Sequence, residues 1–272
     1  MKNFEFNEET VEGGSFENIE YKNELLEEIQ FINTSFEKSD FSGTEFSNVE
    51  FDEIEAKEVN FEKCKMHSDQ LNFKGNFEKC SWQGAEINCI ENISGIFLKN
   101  IFKDSIFENS SFADVELQGN DFSGATLDSC GITYNKLINN NFCKANIDTS
   151  FSCLDEKFND FTKAILDYSS WYKCICKEDI FRNASANSAS FEKTDCTLCD
   201  FEKTVMEKCK FKKSKLTDCS FKDTELLDST FTECTLKNID FTSIKYENVT
   251  FTDCQFENVT FTEQQKKDFG LE

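Results

Sequence analysis

Residues 191–230 read FEKTDCTLCD FEKTVMEKCK FKKSKLTDCS FKDTELLDST, and an apolar residue recurs at every fifth position. The pattern continues without a break to Phe261. On an α-helix, steps of five advance by ~500° and spread these side chains around the helix. On a flat strand, successive members would point to opposite faces. Neither regular element buries the pattern on one side. The positions are Phe191, Cys196, Phe201, Met206, Phe211, Leu216, Phe221, Leu226, Phe231, Leu236, Phe241, Tyr246, Phe251, Phe256 and Phe261.

A chain that turns by about a quarter circle every five residues does bury the pattern. Each short segment then directs its central residue to a common axis, and four segments close a coil of about 20 residues. Stacked coils bury their centres in one continuous core. The residues two places before the centres are small or β-branched, as at Thr194, Cys199 and Thr204. Such residues fit inward-facing corners, and the outward positions are polar.

Five-residue units such as Cys219–Asp223 and Ile239–Ser243 carry a small residue, then a polar residue, then Phe. Nearly the whole chain follows this form, and it resembles pentapeptide-repeat proteins. The resemblance implies a right-handed parallel quadrilateral β-helix. We therefore predict an all-β solenoid of about 13 coils with a small C-terminal cap, and strand spacings of ~4.8 Å give a rod of about 60 Å.

The repeat predicts one β-helical domain over residues 1–263, with register shifts near 72–76 and 148–160. The tail, residues 264–272, is predicted to form a cap or a short helix over the last coil. In that helix Phe269 would be the apolar contact. An exposed end of a solenoid also offers a route to a homodimer.

The first register of central residues ends at Leu71, and the second begins six residues later at Phe77. The extra residue predicts a bulge near 73–75. Asn92 falls on a central position that should be apolar. Either its side chain bonds to the coil backbone, or the segment 89–95 is displaced.

A second irregularity lies between Ile147 and Phe161, which are fourteen residues apart where fifteen would keep the phase. Phe151 can serve as a centre, whereas the carboxylate of Glu156 fits an apolar core poorly. We therefore predict that residues 153–159 leave the coil as a short loop.

The formal net charge is −23, and residues 1–60 hold 17 acidic and 4 basic residues. Direct binding to nucleic acid or to an anionic membrane needs cations on the protein, so both are excluded. The chain has no apolar run of membrane-spanning length. The acidic side chains near the start of the repeat form a candidate surface for a basic partner. They are Glu17, Glu20, Glu27, Glu37, Glu45, Asp52, Glu53 and Glu55.

The chain has 14 cysteines and no evident secretory signal, which indicates free thiols in a reducing, cytoplasmic compartment. Cys174-x-Cys176 and Cys196-x-x-Cys199 have spacings that suit zinc or redox chemistry. All four also fall on inward positions of the repeat, so we interpret them as core thiols and predict no metal and no cofactor. The outward-facing cysteines, candidates for exposed thiols, are Cys89, Cys143 and Cys153.

The sequence contains no evident catalytic constellation. Its one histidine, His67, follows the central residue Met66 and should face solvent. We predict a non-enzymatic acidic rod that acts as a scaffold for an unidentified protein partner.

The family resemblance implies an alternative, because members of the quinolone-resistance type imitate duplex DNA and bind type II topoisomerase. The candidate partners are then DNA gyrase and topoisomerase IV. About 60 Å of duplex holds about 35 negative charges, against 23 in this chain. For the protein to imitate duplex DNA, its acidic residues must lie together on one face of the rod. Long projecting loops and an apolar C-terminal dimer cap, which the resemblance would also imply, are not evident in the sequence.

Overall fold

The computed structural model describes residues 6, 9–67, 72–152 and 155–271. The fold is an all-β parallel solenoid of about 12 turns with one short C-terminal helix. This confirms the predicted fold class and its cap. The chain divides into two compact units, residues 1–141 (unit 1) and 142–272 (unit 2), which we describe in turn.

Unit 1 contains 15 strands within its described residues. They are β1 (Thr10–Glu12), β2 (Ser15–Glu17), β3 (Leu25–Glu27), β4 (Gln30–Ile32), β5 (Ser35–Glu37), β6 (Glu45–Ser47), β7 (Glu50–Lys57), β8 (Lys65–His67), β9 (Asn72–Glu78), β10 (Glu86–Asn88), β11 (Asn92–Leu98), β12 (Ile106–Glu108), β13 (Ser111–Gln118), β14 (Thr126–Thr133) and β15 (Lys136–Ile138).

Each coil of unit 1 pairs with the next coil through parallel strands, so a residue pairs with the equivalent residue one coil, or four segments, further along the chain. Val11 pairs with Phe31 and Phe31 with Phe51. The rings of Phe31 and Phe51 stack with centroids 5.4 Å apart. The central residue of each segment therefore lies over its counterpart in the previous coil, as the five-residue period predicts.

Unit 2 contains the remaining strands and the helix. They are β16 (Asn146–Ser152), β17 (Asp155–Lys157), β18 (Ser170–Tyr172), β19 (Ile175–Lys177), β20 (Ser190–Glu192), β21 (Asp195–Thr197), β22 (Val205–Glu207), β23 (Lys210–Lys212), β24 (Lys215–Thr217), β25 (Glu225–Leu227), β26 (Thr230–Thr232), β27 (Thr235–Lys237), β28 (Lys245–Glu247), β29 (Thr250–Thr252), β30 (Gln255–Glu257) and α1 (Glu263–Phe269).

Two of the inward columns in the core of unit 2 consist of aromatic rings. One column runs from Trp171 through Phe191, and the Trp171 and Phe191 ring centroids are 4.7 Å apart. The other includes Phe201 and Phe221, with centroids 5.0 Å apart. Both columns are the ones that the 20-residue coil predicts. Their members are Trp171, Phe191, Phe211, Phe231 and Phe251, and Phe161, Phe181, Phe201, Phe221, Phe241 and Phe261.

At most corners the chain turns at a residue in the left-handed backbone region, two positions after the centre. Lys203, Lys208 and Lys213 have φ of 57°, 56° and 53°. This conformation is unfavourable for residues other than glycine, with Asn and Asp penalised least. Phe158 and Leu198 nevertheless occupy such corners and are 48% and 49% exposed. The sequence pattern alone did not identify this backbone requirement.

In unit 1 the register changes where β7 faces β9 and where β11 faces β13. Phe51 pairs with Phe73, and Phe73 with Ile93. Ile93 is therefore buried, at 2% exposure, in the place expected for Asn92. Of the two explanations for Asn92, displacement of the segment is correct. Leu71, the expected centre, lies outside the described residues.

In unit 2 the repeat is one residue short between Ile147 and Phe161, and the structure accommodates this by omitting one corner. Ile147, Thr149 and Phe151 all point inward along β16, so the strand runs straight where the chain would otherwise turn. The next segment, β17, pairs with β19 in regular register. The prediction of a loop over 153–159 is therefore wrong for residues 155–159. Glu156 sits at a centre and is fully buried. Residues 153 and 154 lie outside the described part of the chain.

Helix α1 covers part of the last coil. Thr262 caps its N-terminus by accepting a hydrogen bond from the Gln265 N–H, and Thr262 N–H donates to Gln265 Oε1. The Gln265 Nε2 donates to the Phe241 carbonyl at 2.8 Å, which ties the helix to the coil. Phe269 is buried with its ring centroid 5.2 Å from that of Phe251. Its role as the apolar contact is as predicted.

Candidate functional site

One face of unit 1, which we call the groove face, is formed by β2, β5, the last three residues of β7, β9 and the last three residues of β11. The register places its outward side chains in two columns. One column is Glu17, Glu37, Lys57, Glu78 and Leu98, and the other is Ser15, Ser35, Glu55, Asn76 and Ile96. Successive rows lie one strand spacing apart, ~4.8 Å.

The groove face is concave, with a shallow groove of about 370 Å³. Phe36, Ala56 and Phe77 lie in its floor, and the two outward columns form its sides. Ala56 stands between Phe36 and Phe77 in the inward column, where a large residue is the rule. Since a central Ala fills less space than Phe, the row at Ala56 is the least filled part of this column.

A second hollow, of about 450 Å³, lies at the adjoining corner and is lined by Glu53, Lys74, Gly75 and Gly95 among others. The backbones approach closely here. A Cβ on Gly75 would lie 2.4 Å from the Ile54 carbonyl oxygen, and one on Gly95 would lie 2.0 Å from the Gly75 carbonyl oxygen. Only glycine permits this approach. Gly95 also has φ of 107°.

Carboxylates dominate the charge of the groove. Glu17 pairs in register with Glu37 on the neighbouring strand, an arrangement of like charges that is unfavourable. Lys38 lies 2.9 Å from Glu37, and its hydrogen bond lowers the pKa of that carboxyl. Glu55 accepts a hydrogen bond of 2.7 Å from Asn76. These side chains are exposed or half-buried, so a ligand can reach their carboxylates.

The eight predicted acidic residues do not share one face. Glu17, Glu37 and Glu55 line the groove, and Glu53 lies at the adjoining corner. The other four occupy the remaining faces. Glu20 is paired with Asp40, Glu27 and Glu45 lie on β3 and β6, and Asp52 lies on β7 beside Lys74. The groove therefore brings together three of the eight predicted residues, with Glu78 in addition.

A different cluster, which we call the buried carboxyl cluster, lies in unit 2 and consists of Glu156, Cys176 and Asp179. All three residues are 0% exposed, and one potential ligand atom from each lies within 4.8 Å of the others. Glu156 pairs in register with Cys176. Asp179 Oδ1 accepts hydrogen bonds from the Asn159 backbone N–H at 2.7 Å and from Asn159 Nδ2 at 3.0 Å.

Burial sets the protonation of these carboxyls. It raises the pKa of Glu156 well above its usual range, and the nearby Asp179 raises it further. Burial also raises the pKa of Asp179 to about 7, although the hydrogen bonds from Asn159 oppose the shift. Both oxygens of Glu156 and Oδ2 of Asp179 lack a hydrogen-bond partner among the described residues.

The other candidate residues lie mainly where the repeat predicts. Cys174, Cys176, Cys196 and Cys199 are buried in the core, and His67 is exposed. Cys89 is exposed, Cys143 is half-buried, and Cys153 lies outside the described residues. The buried carboxyl cluster was not predicted, because Glu156 was expected in a loop. The spacing of the repeat could have predicted its position, because Glu156 lies five residues after Phe151 and five residues before Phe161, where a central residue is expected.

Two family models match parts of the chain. The model described as pentapeptide repeats (8 copies) matches residues 26–67, and the model described as pentapeptide repeat region matches residues 194–269. These matches agree with the solenoid fold and confirm the predicted resemblance to pentapeptide-repeat proteins. None of the curated proteins compared with the sequence matches it significantly. Within the described residues no helix combines the length and the apolar character that a membrane crossing needs.

Several solved structures resemble this one. QnrB1, a plasmid-mediated fluoroquinolone resistance protein, is 18% identical over 65% of this chain and 98% of its own, with a TM-score of 0.45. HetL of the cyanobacterium Nostoc sp. strain PCC 7120, a pentapeptide repeat protein involved in heterocyst differentiation regulation, is 11% identical over 92% of this chain and 90% of its own, with a TM-score of 0.25. A mannuronic acid specific polysaccharide lyase from human gut microbiota is 8% identical over 95% of this chain and 88% of its own, with a TM-score of 0.38. At these values none of them bears on the activity of this chain.

Proposed function

We propose that the chain is a non-enzymatic interaction scaffold and that the groove face of unit 1 binds a basic segment of a partner protein. The observation that supports this most directly is the acidic groove. Glu17, Glu37, Glu55 and Glu78 line it together with a single cation in its two columns, Lys57. Basic side chains would meet several carboxylates within one shallow depression.

The charge arrangement favours an extended basic peptide as the occupant. Glu17 and Glu37 repel each other across one strand spacing, and a guanidinium group between them would relieve that repulsion. Lys38 and Lys79, which pair with Glu37 and Glu78 from the corners, are exposed and flexible, so an incoming arginine can displace them. Phe36 and Ala56 offer apolar floor for the stems of such side chains.

The composition of the groove supports a binding role rather than a catalytic one. Its described lining contains no histidine and no cysteine. Ser35 donates a hydrogen bond to Ser15 at 3.1 Å, and neither hydroxyl has a general base in an activating arrangement within that lining. We therefore place the function in recognition.

Binding of a labelled oligoarginine peptide, followed by fluorescence anisotropy, tests the proposal. The triple variant Glu17→Lys/Glu37→Lys/Glu55→Lys should weaken binding by about tenfold, since three exposed pairs contribute ~0.5 kcal/mol each. The matched control reverses the same number of charges away from the groove, at Glu27, Glu45 and Glu108. If both triple variants weaken binding equally, the peptide responds to net charge alone and the groove is not the site.

A duplex-mimicking role towards type II topoisomerase is the second candidate. The register of Glu17 over Glu37 is the feature that favours it, because a mimic needs carboxylates repeated along one direction. Lys57 interrupts that column, however, and three carboxylates over ~14 Å compare with about eight phosphates in the same length of duplex. The first proposal therefore takes precedence. Supercoiling by purified DNA gyrase, with and without a fluoroquinolone, tests the second. An unchanged reaction at micromolar protein would remove it.

A further inference from the structure

One inward column of unit 2 departs from the rule that the core is apolar. In register, its members are Glu156, Cys176, Cys196, Leu216, Leu236 and Phe256. Glu156 is the charged residue of this column, and it lies directly beside a thiol. Asp179 reaches the same place from the small inward position of the next corner. Two carboxyls and a thiol therefore converge inside a solenoid core.

We propose that Glu156, Cys176 and Asp179 form a binding site for a divalent transition-metal ion, with Zn²⁺ as the best fit. Each residue offers one donor atom, and all three atoms lie within 4.8 Å of one another. In a tetrahedral zinc site with bonds of about 2.0–2.3 Å, donors lie about 3.3–3.6 Å apart. The movement needed is small, and rotation about the side-chain torsions of Glu156 can supply it.

The unpaired oxygens point independently to a ligand. Both oxygens of Glu156 and Oδ2 of Asp179 are buried without a hydrogen-bond partner in the described part of the chain. Each such group is costly to bury, and native proteins satisfy nearly all of them. The indole Nε1 of Trp171 lies near enough to the Glu156 carboxyl to oppose the rise in its pKa that burial causes, but it does not reach hydrogen-bonding geometry with any described acceptor. A bound cation would give the carboxylates a partner.

Asp179 already has the support that metal ligands usually have. Asn159 holds its Oδ1 through two hydrogen bonds, of 2.7 Å and 3.0 Å, which leaves Oδ2 available to the cluster. Hydrogen bonds of this kind fix the orientation of a ligating carboxylate and strengthen metal binding. Asn159 is thus a positioning residue for the site.

The donor set selects the class of metal. One thiolate and two carboxylates suit a borderline ion such as Zn²⁺ or Co²⁺. Mg²⁺ and Ca²⁺ prefer oxygen ligands alone, and Cu⁺ prefers soft sulfur ligands. On binding, the Cys176 thiol and any protonated carboxyl release their protons to solvent. The three anionic donors and a divalent cation then leave a net charge of −1 in the core.

The test measures Zn²⁺ and Co²⁺ binding by the full chain, both in the native state and after refolding from denaturant with the ion present. We expect one ion per chain by elemental analysis. The Co²⁺ form should show thiolate-to-metal charge-transfer absorption, which reports the sulfur ligand. Glu156→Leu and Asp179→Asn should each weaken binding by at least about 100-fold, and Cys176→Ala should remove the charge-transfer band.

The matched control is Cys209→Ala, which removes another fully buried thiol of unit 2 outside the cluster. It should bind the ion as the wild type does. Glu156→Leu restores the apolar residue that the repeat expects, so it should fold, and Asp179→Asn preserves the shape of the side chain. The proposal is overturned if the wild type takes up no ion in either preparation, if Glu156→Leu binds as tightly as the wild type, or if the band persists in Cys176→Ala.

Discussion

Replacing Glu156 by leucine should stabilise the metal-free protein. The side chain is 0% exposed, and neither carboxyl oxygen has a hydrogen-bond partner among the described residues. Leucine already fills the same column at positions 216 and 236. An unsatisfied buried polar group costs ~1–3 kcal/mol, and leucine gains apolar burial in addition. We expect the free energy of unfolding to rise by ~2–4 kcal/mol.

The gain should depend on pH in a defined direction. A carboxyl whose pKa is raised in the folded state keeps its proton there to a higher pH than in the unfolded chain, so folding stability falls as pH rises between the two values. Burial raises the pKa of Glu156 well above its usual range, and the nearby Asp179 raises it further, so the wild type loses this stability as pH rises whereas Glu156→Leu does not. Burial also raises the pKa of Asp179, to about 7, but Asp179 is present in both proteins, so its own pH dependence does not produce the gain.

Denaturant unfolding at pH 5 and pH 8, with a chelator present, measures both effects. Glu156→Leu should be more stable than the wild type at both values, with the larger gain at pH 8. Glu156→Gln is the matched variant, because it removes the ionisation but leaves a polar group unsatisfied. It should gain stability mainly at pH 8. A loss of stability in Glu156→Leu at both pH values would refute the placement of this side chain in the core.

Three further predictions concern the core, the corners and the cap. Phe221 is 1% exposed between the rings of Phe201 and Phe241, so Phe221→Ala should lower the free energy of unfolding by ~3–5 kcal/mol. Lys222→Ala, at the exposed neighbouring position, should change it by less than ~0.5 kcal/mol, and equal effects of the two variants would contradict the assigned phase of the repeat. Leu198 adopts φ of 57°, so Leu198→Asn should stabilise the folded protein by up to ~1 kcal/mol, whereas Thr197→Asn in the adjoining strand should not. Equal shifts of the melting temperature in the two variants would argue against backbone strain at this corner. Gln265→Ala removes the side-chain half of the capping box and the bond to the Phe241 carbonyl, and it should cost ~1–2 kcal/mol, visible as faster hydrogen exchange in the helix. Unchanged exchange would mean that these two bonds are dispensable.

The five-residue period was sufficient to predict the β-helix because it constrains every segment in the same way. An unbroken apolar position from Phe191 to Phe261 is compatible with no helix and no flat sheet. The columns of Phe201 and Phe221 then follow from a coil of four segments. The short helix with Phe269 was predictable because the repeat ends at Lys266 and one aromatic residue follows.

Other features depend on physical details that a repeat pattern does not contain. The left-handed corners are occupied by Lys, Glu, Asn and even Phe158, so residue type does not reveal the backbone angle. The groove has Ala56 in its floor, and the hollow at the adjoining corner lies where Gly75 closely approaches the Ile54 backbone. The position of Glu156 was missed because a rule based on burial excludes carboxyls from the core, whereas the phase of the repeat required one there.

Hydrogen–deuterium exchange of the whole protein with and without bound oligoarginine would locate the proposed binding surface directly. The account predicts slower exchange in β2, β5, β7 and β9, the strands that carry Glu17, Glu37, Glu55 and Glu78, with little change in β3, β6 and β8. Protection confined to those last three strands, or spread evenly over all faces, would contradict a binding site in the groove.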